Sequence, residues 1–199
     1  MARVVADMSM SLDGFVADPQ DGVGKLFGWY GNGDVEIPTA DPQYTFKVSP
    51  ASAEHLRPAL TGGVGALLAG RRIFDLTGGW GGRHPLGVPV FVVSHSVPDG
   101  WPRPDSDTTF YTDAFAALEA AKKEAGERIV AVSTPTLTRQ YLDAGLLDEI
   151  VVSLVPVLLG SGIPFFGGLA KTPVGLGDPK VVAGQGVTHL TYPVIRERS

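Results

Sequence analysis

The sequence predicts an α/β domain: a mostly parallel central sheet flanked by helices, with antiparallel strands at the carboxyl end. Two observations carry this. Short apolar runs alternate with helical patterns from about residue 60 to residue 145. The last two strand-like runs, Glu149–Pro156 and Gly186–Ile195, have no clear helix between them, which points to antiparallel pairing.

Arg3–Ser11 is rich in Val and Met and ends at the turn signal Leu12-Asp13-Gly14, so it reads as a buried first strand. Asp18–Ser49 is crowded with Gly, Pro, Asp and Asn yet carries Phe27, Trp29, Tyr30, Tyr44 and Phe46. It reads as a long functional or interface-forming loop, since a linker has no use for rings. Ser49-Pro50 has the form of an N-cap followed by proline at the first helical position. The helix it opens is expected to run toward Leu60, kinked or shortened by Pro58.

Val64–Ala69 is a continuous apolar strand followed by a short helix from Gly70 to Leu76, and Val88–Val93 is a second strand ending at Ser94-His95-Ser96. Thr108–Tyr111 is a third. Asp113 is a suitable N-cap for a helix over Ala114–Ala125, with Phe115, Leu118 and Ala121 on one face and Gly126 closing it. Ile129–Val132 is again a strand, and Thr134-Pro135 opens a helix that carries Leu137, Tyr141 and Leu142 and stops at Gly145.

The composition narrows function. With 199 residues, 44% hydrophobic and 19% charged, the chain reads as one globular domain spanning 1–199. Its 16 Lys and Arg against 21 Asp and Glu give a net charge of −5 without a basic run, so nucleic acid is not an expected partner. Arg3 comes too early for a signal peptide and no apolar stretch has membrane-spanning length, so a cytoplasmic protein is expected. The absence of cysteine excludes disulfides and thiolate nucleophiles. His55, His84 and His189 lie in unrelated segments without metal-ligand spacing, so no metal is assigned.

Ligands of open α/β sheets lie beyond the carboxyl ends of the strands, where helix N-termini offer N–H groups to phosphates. Three strand ends qualify: Ala69-Gly70-Arg71-Arg72, Val93-Ser94-His95-Ser96 and Val132-Ser133-Thr134-Pro135-Thr136. The first is either a phosphate site, with Gly70 baring the backbone and an arginine fork beside it, or a tight turn with two solvated arginines. His95 is either a ligand contact or a solvated loop residue. A P-loop is rejected, because Arg71-Arg72 replaces its Lys-Ser/Thr pair. No Gly-x-Ser-x-Gly elbow surrounds Ser94, so it forms no triad with His95. Leu158–Gly168, with four glycines and Phe165-Phe166, is either a structural Ω-like loop or a substrate-lining one.

Three segments taken in order resemble one family. Met10-Ser11-Leu12-Asp13-Gly14-Phe15-Val16-Ala17 is similar to its opening signature, and Leu68-Ala69-Gly70-Arg71-Arg72-Ile73-Phe74 to its cofactor turn. Leu147-Asp148-Glu149-Ile150, continuing through Pro156-Val157-Leu158-Leu159-Gly160-Ser161-Gly162, is similar to its late strand and glycine loop. The chain thus resembles the reductases that share the dihydrofolate reductase fold, among them the C-terminal domain of the riboflavin-pathway deaminase/reductase.

The resemblance implies an NADPH-dependent reductase that passes a hydride to a small heteroaromatic or carbonyl substrate. It places Gly70, Arg71 and Arg72 on the cofactor phosphates, Ser94, His95 and Ser96 at the adenosine end, and Ser133, Thr134 and Thr136 at the third strand end. Asp13, Trp29, Trp80, Gly160 and Ser161 fall on the substrate side, with a turn-capping role as the alternative for Asp13; no catalytic residue is assigned. A homodimer is expected, with Val155, Val157, Leu158, Phe165 and Phe166 as its exposed apolar set.

The sequence departs from the family at Ser133-Thr134-Pro135, where the family carries a Gly-Gly pair. Side chains occupy that surface, Pro135 removes one N–H donor, and Thr134 is expected to cap its own helix. A second reading follows from the departure: a family member that has lost dinucleotide binding and uses the cleft for another small ligand or for cofactor-independent chemistry.

Overall fold

The computed structural model describes residues 1–42 and 44–195. In chain order the elements are β1 (Arg3–Ser11), β2 (Phe15–Ala17), α1 (Gly24–Phe27), β3 (Val35–Pro38), β4 (Thr45–Val48), α2 (Pro50–Pro58), β5 (Val64–Gly70), α3 (Arg71–Leu76) and β6 (Val90–Val93). They continue with β7 (Thr108–Tyr111), α4 (Ala114–Ala125), β8 (Ile129–Val132), α5 (Pro135–Asp143), β9 (Glu149–Val155), β10 (Ile163–Pro164), β11 (Lys180–Gly184) and β12 (Val187–Pro193). An eight-stranded sheet runs β11-β12-β9-β1-β8-β5-β6-β7. From β9 to β7 the pairs are parallel, and β12 joins β9 antiparallel, as the missing helix between them foretold.

Parallel strands bury both faces, which is why β5 and β8 are apolar throughout rather than alternating. One face packs α4 and α5 in a single continuous cluster that includes Val4, Ala6, Leu68, Val130, Leu118 and Tyr141. Asp113 caps α4 through a 2.7 Å bond from the Ala116 N–H, and the buried Tyr141 hydroxyl donates to the Ala114 carbonyl at 2.7 Å. The other face is covered in two pieces. One piece, around Phe74, Leu67 and Val92, lies over β5 and β6; the other, around Leu26, Trp29, Val48 and Val187, lies over β9 and β12.

The Asp18–Ser49 segment is more ordered than a loop. It holds α1, a 3-10 turn at Gly28–Gly31 and the β3–β4 hairpin, and Trp29, Tyr30 and Phe46 bury their rings in the second piece of that divided face. Helix α2 begins on Ser49, whose hydroxyl accepts from the Ser52 N–H at 3.3 Å. It stops at Pro58, two residues short of the expected Leu60, and a single wider turn over Ala59–Gly63 delivers the chain to β5. Among the described residues no helix is long and apolar enough to cross a membrane.

Beneath α2 lies a buried polar network. His189 on β12 is fully buried; its Nδ1 is 3.0 Å from the Ser153 hydroxyl and its Nε2 2.9 Å from the Ser52 hydroxyl. The His55 ring stacks on it at 4.1 Å. Burial, and then the neighbouring His55, lowers the His189 pKa to about 4, while burial and then Lys180 lower that of His55. The unfolded His189 ring takes a proton near pH 6.5, the folded one only near pH 4. Its contribution to stability is therefore complete above pH 6.5 and drains away as pH falls to about 4. In denaturant titrations, the difference in unfolding free energy between the parent and His189→Asn should shrink by about 3 kcal/mol over that window. A difference independent of pH would show that the ring is protonated inside the fold.

Candidate functional site

The carboxyl ends of β5, β6, β7 and β8 enclose a cavity of about 580 Å³, within the range of small-molecule sites. Its walls include Gly70, Arg71, Arg72, Ser94, His95, Ser96, Thr134 and Thr136, so residues from all three predicted strand ends meet there. Ser133 stands behind this wall, its N–H donating to the Leu68 carbonyl at 3.0 Å. Among the described residues no cluster of His, Asp or Glu is placed to hold a metal ion.

Both arginines are already engaged. Arg71 donates from Nε to both Asp75 carboxylate oxygens at 2.8 Å, and its Nη1 spans to β6, reaching the Ser96 carbonyl at 3.1 Å. Arg72 forms a two-pronged pair with Asp21, which sits in the turn after β2 with φ of 66°. A phosphate at this wall must share these guanidinium groups with the carboxylates.

Two helix N-termini open on the cavity and differ in one respect. Asp113 places its own carboxylate on α4, filling that end with negative charge. At α5 the expected Thr134 cap is not made: the residue occupies the N-cap position with extended backbone angles, but its side chain caps no N–H. Its hydroxyl turns instead toward β5, where a Cβ on Gly70 would lie 3.2 Å from Oγ1. The close approach of Thr134, rather than any unusual backbone angle, is what asks for glycine at position 70. The α5 end is left as the anion-accepting one, with Thr136 and Leu137 on the cavity wall.

The residues expected on the substrate side scatter. Asp13 accepts from the Ser11 hydroxyl at 2.6 Å, from the Leu159 N–H at 3.1 Å and from the Gly160 N–H at 2.7 Å. These bonds, led by that of Ser11, hold its pKa below the usual carboxylate value. Asp13 thus clamps the opening turn to the late glycine loop. Gly160 spends its N–H on that clamp and Ser161 is exposed beside it. The loop is further pinned where Gly162 lies against the Ala17 carbonyl, a contact no Cβ permits, and where β10 pairs β2.

Trp29 is only 3% exposed, stacked on Tyr30 at 3.9 Å and donating from Nε1 to the Ser9 hydroxyl at 3.2 Å, so its ring presents no face to a ligand. Trp80 packs edge-on to Phe74 and His84 over the β5–β6 half of the sheet. The apolar set expected to be exposed also divides. Val155 and Phe165 are core, whereas Leu158 is 69% and Phe166 37% exposed.

The residue that sequence reasoning passed over is Asp7, at the middle of β1. It lies on the divided face, paired in register with Val151 of β9, and it is exposed although Val5 and Ser9, its neighbours on that face, are buried. Among the described residues no hydrogen-bond donor or cation pairs with its carboxylate. Protein surrounds it closely enough that desolvation, followed by the charge of Glu149, raises its pKa from 3.8 to about 6. The side chain reaches water, yet the protein around it desolvates the carboxyl. The signal was present in the sequence: a lone acid inside an apolar run that, in a parallel sheet, should be buried on both faces.

Residues 87–187, just over half of the chain, match the profile of the RibD C-terminal domain. The chain belongs to that family. The Bacillus subtilis (strain 168) uncharacterized protein YwjB is 33% identical over 63 residues, 31% of this chain and 36% of that protein. The match therefore spans about a third of that relative. A crystal structure of a Shewanella sp. PV-4 protein provisionally assigned to riboflavin biosynthesis superposes with a TM-score of 0.69 at 26% identity, covering 98% of this chain and all of that one. The Saccharomyces cerevisiae riboflavin biosynthesis reductase Rib7 gives 0.60 at 14% identity over 98% of this chain and 90% of its own. Enterococcus faecalis dihydrofolate reductase gives 0.56 at 12% over 96% of each. The fold of this RibD C-terminal domain chain is that of dihydrofolate reductase.

Replacing Asp13 with Ala should speed hydrogen exchange at the Leu159 and Gly160 amides by roughly tenfold, while β9 and β12 amides keep their protection. Equal exchange at 159 and 160 in both proteins would show that the carboxylate does not hold the loop.

Proposed function

We propose that this chain is an NADPH-dependent reductase of a small heteroaromatic or carbonyl substrate, with residues 1–199 acting as one cytoplasmic domain that works as a homodimer. The observation that carries the reading is the convergence on one cavity of two arginines and an uncapped helix N-terminus, in a chain of the RibD C-terminal domain family. One of the similar folds is that of a riboflavin biosynthesis reductase and another was solved with NADP(H).

The residues present fit a dinucleotide. The uncapped α5 end and the Arg71–Arg72 wall supply donors and positive charge where a pyrophosphate or ribose phosphate would lie. Ser94, His95 and Ser96, at the end of β6, would line the adenosine portion. When bound, the reduced nicotinamide ring supplies a hydride and is left cationic. The protein's part is to hold the phosphates, orient the ring and exclude water.

The second reading, a cleft turned to another small ligand, draws on the Thr134 side chain, which fills the space beside Gly70, and on the internal pairing of both arginines.

Titration with NADPH, followed by tryptophan fluorescence, separates the two. Micromolar binding is expected, and Arg71→Ala should weaken it about ten- to a hundredfold, the cost of losing a charged hydrogen bond. Absence of binding to the parent would favour the second reading. Thr134→Gly should tighten NADPH binding in protein shown to be folded, because it bares the backbone beside Gly70 without sacrificing a cap. Unchanged affinity would mean that this side chain is no obstacle.

A further inference from the structure

Of the residues lining the cavity at the strand ends, only His95 and Asp113 could move a proton to a substrate, and Asp113 is held as the α4 cap by the Ala116 N–H. Reduction of a C=N or C=O bond needs a proton as well as a hydride.

The topology indicates where one is held. From β1 the chain crosses to β5 through α2, on the divided face, whereas from β8 it crosses to β9 through α5, on the continuous face. Neighbouring strands whose connections leave on opposite faces open a crevice between their carboxyl ends, the usual place for a ligand in such sheets. Here that crevice lies between β1 and β8, and beside it, on the divided face, Asp7 is exposed and belongs to neither apolar cluster. Strand β8 ends at Val132, opposite Ala6. Continuing that register by one residue sets Asp7 beside Ser133, next to Thr134 of the cavity wall. An extended ligand anchored at the end of β6 has three strand spacings, about 14 Å, to cross before reaching β1.

We propose that Asp7 is the catalytic acid of this chain, holding the proton delivered to the substrate and facing the nicotinamide end of the cofactor. The inference rests on the NADPH reading above. Asp7 breaks its O–H bond and passes the proton to the nitrogen or oxygen of the double bond whose carbon takes the hydride. The carboxylate left behind would balance the positive charge that a bound nicotinamide carries once its hydride is gone. Before the step both partners would be neutral and after it they would form an ion pair, so the step itself would leave no lone charge in desolvated surroundings.

The absence of any cation or donor on Asp7 among the described residues suits this role, since a salt-bridged carboxylate is ionised at neutral pH and has no proton to give. Its raised pKa keeps part of the population protonated near pH 6 to 7. The groups that face it are Glu149 on β9, itself 3.8 Å from Arg3, and Tyr30, whose phenol is raised in pKa by burial and then by Asp7. From β8 the neighbour is Ser133. Toward β12 and β11 the titratable groups are His189, His55 and Lys180, with His189 beyond the Trp29 ring.

The test compares dissociation constants for NADPH and NADP⁺ between pH 5 and pH 8, a readout that needs no substrate. The two nucleotides share the 2′-phosphate, whose own titration cancels in the ratio. A cationic ring beside Asp7 favours its ionised form, so NADP⁺ should gain on NADPH by roughly fivefold or more as pH rises. In Asp7→Asn, which mimics the protonated acid, the ratio should be flat. A flat ratio in the parent, or an unchanged slope in the variant, overturns the assignment while leaving the reductase reading standing. If neither nucleotide binds the parent, the reductase reading falls and Asp7's role falls with it.

Discussion

The structure depends on the double pairing of β1. Its first half is hydrogen-bonded to β8 and nearly its whole length to β9, so the strand that opens the chain joins the two halves of the sheet. Such a strand must be tolerated on both faces. Toward α4 and α5 it presents Val4, Ala6, Met8 and Met10, and the cluster there is unbroken. Toward the other face it presents Val5, Asp7, Ser9 and Ser11, and no single layer can close over a row that contains an acid and two hydroxyls. Ser9 is answered by Trp29 and Ser11 by Asp13; Asp7 is answered by nothing in the described protein.

The proposed site lies along that seam. The clusters on either side of it are built on the Phe74–Trp101–Phe110 edge contacts on one flank and on the Trp29–Tyr30–Phe46 rings on the other. The cavity at the strand ends runs toward the seam from the β6 side. Asp7 also carries a thermodynamic signature opposite to that of His189. A carboxyl with a raised pKa costs stability as pH climbs through about 6 and costs nothing below its unfolded value of 3.8, so the fold holds this group at its own expense under neutral conditions.

Elements that obey one local rule were legible in the sequence. The apolar runs of β5 and β8, the Asp113 cap and the Gly126 stop each state their structure within a few residues, and the three strand ends follow from them. The β3–β4 hairpin was not legible, because strands of four residues are too short to display an alternation and their glycine- and aspartate-rich surroundings look like loop. Strand β11 escaped for a related reason: it is a mostly exposed edge held only by pairing with β12. The aromatics of the Asp18–Ser49 segment read as a functional or interface-forming loop. Trp29, Tyr30 and Phe46 pack into the second cluster while Phe27 and Tyr44 are exposed, since whether a ring packs on a neighbour or on a ligand is decided by tertiary contacts. Asp13 shows the same limit, since the amides it serves are those of Leu159 and Gly160, at the far end of the chain.

The contact between Gly70 and Thr134 has a meaning for how this chain differs from sequences with a glycine pair at positions 133 and 134. The ends of β5 and β8 share one small volume, and Thr134 occupies it. A side chain at 70 would press on the one at 134, which would have to give by a few tenths of an ångström, so the two positions are coupled. A lineage that replaces Thr134 with glycine frees position 70 to accept alanine, because its backbone angles of −90° and 165° suit any residue. A lineage that keeps the threonine has a packing reason to favour glycine at position 70, independent of any ligand.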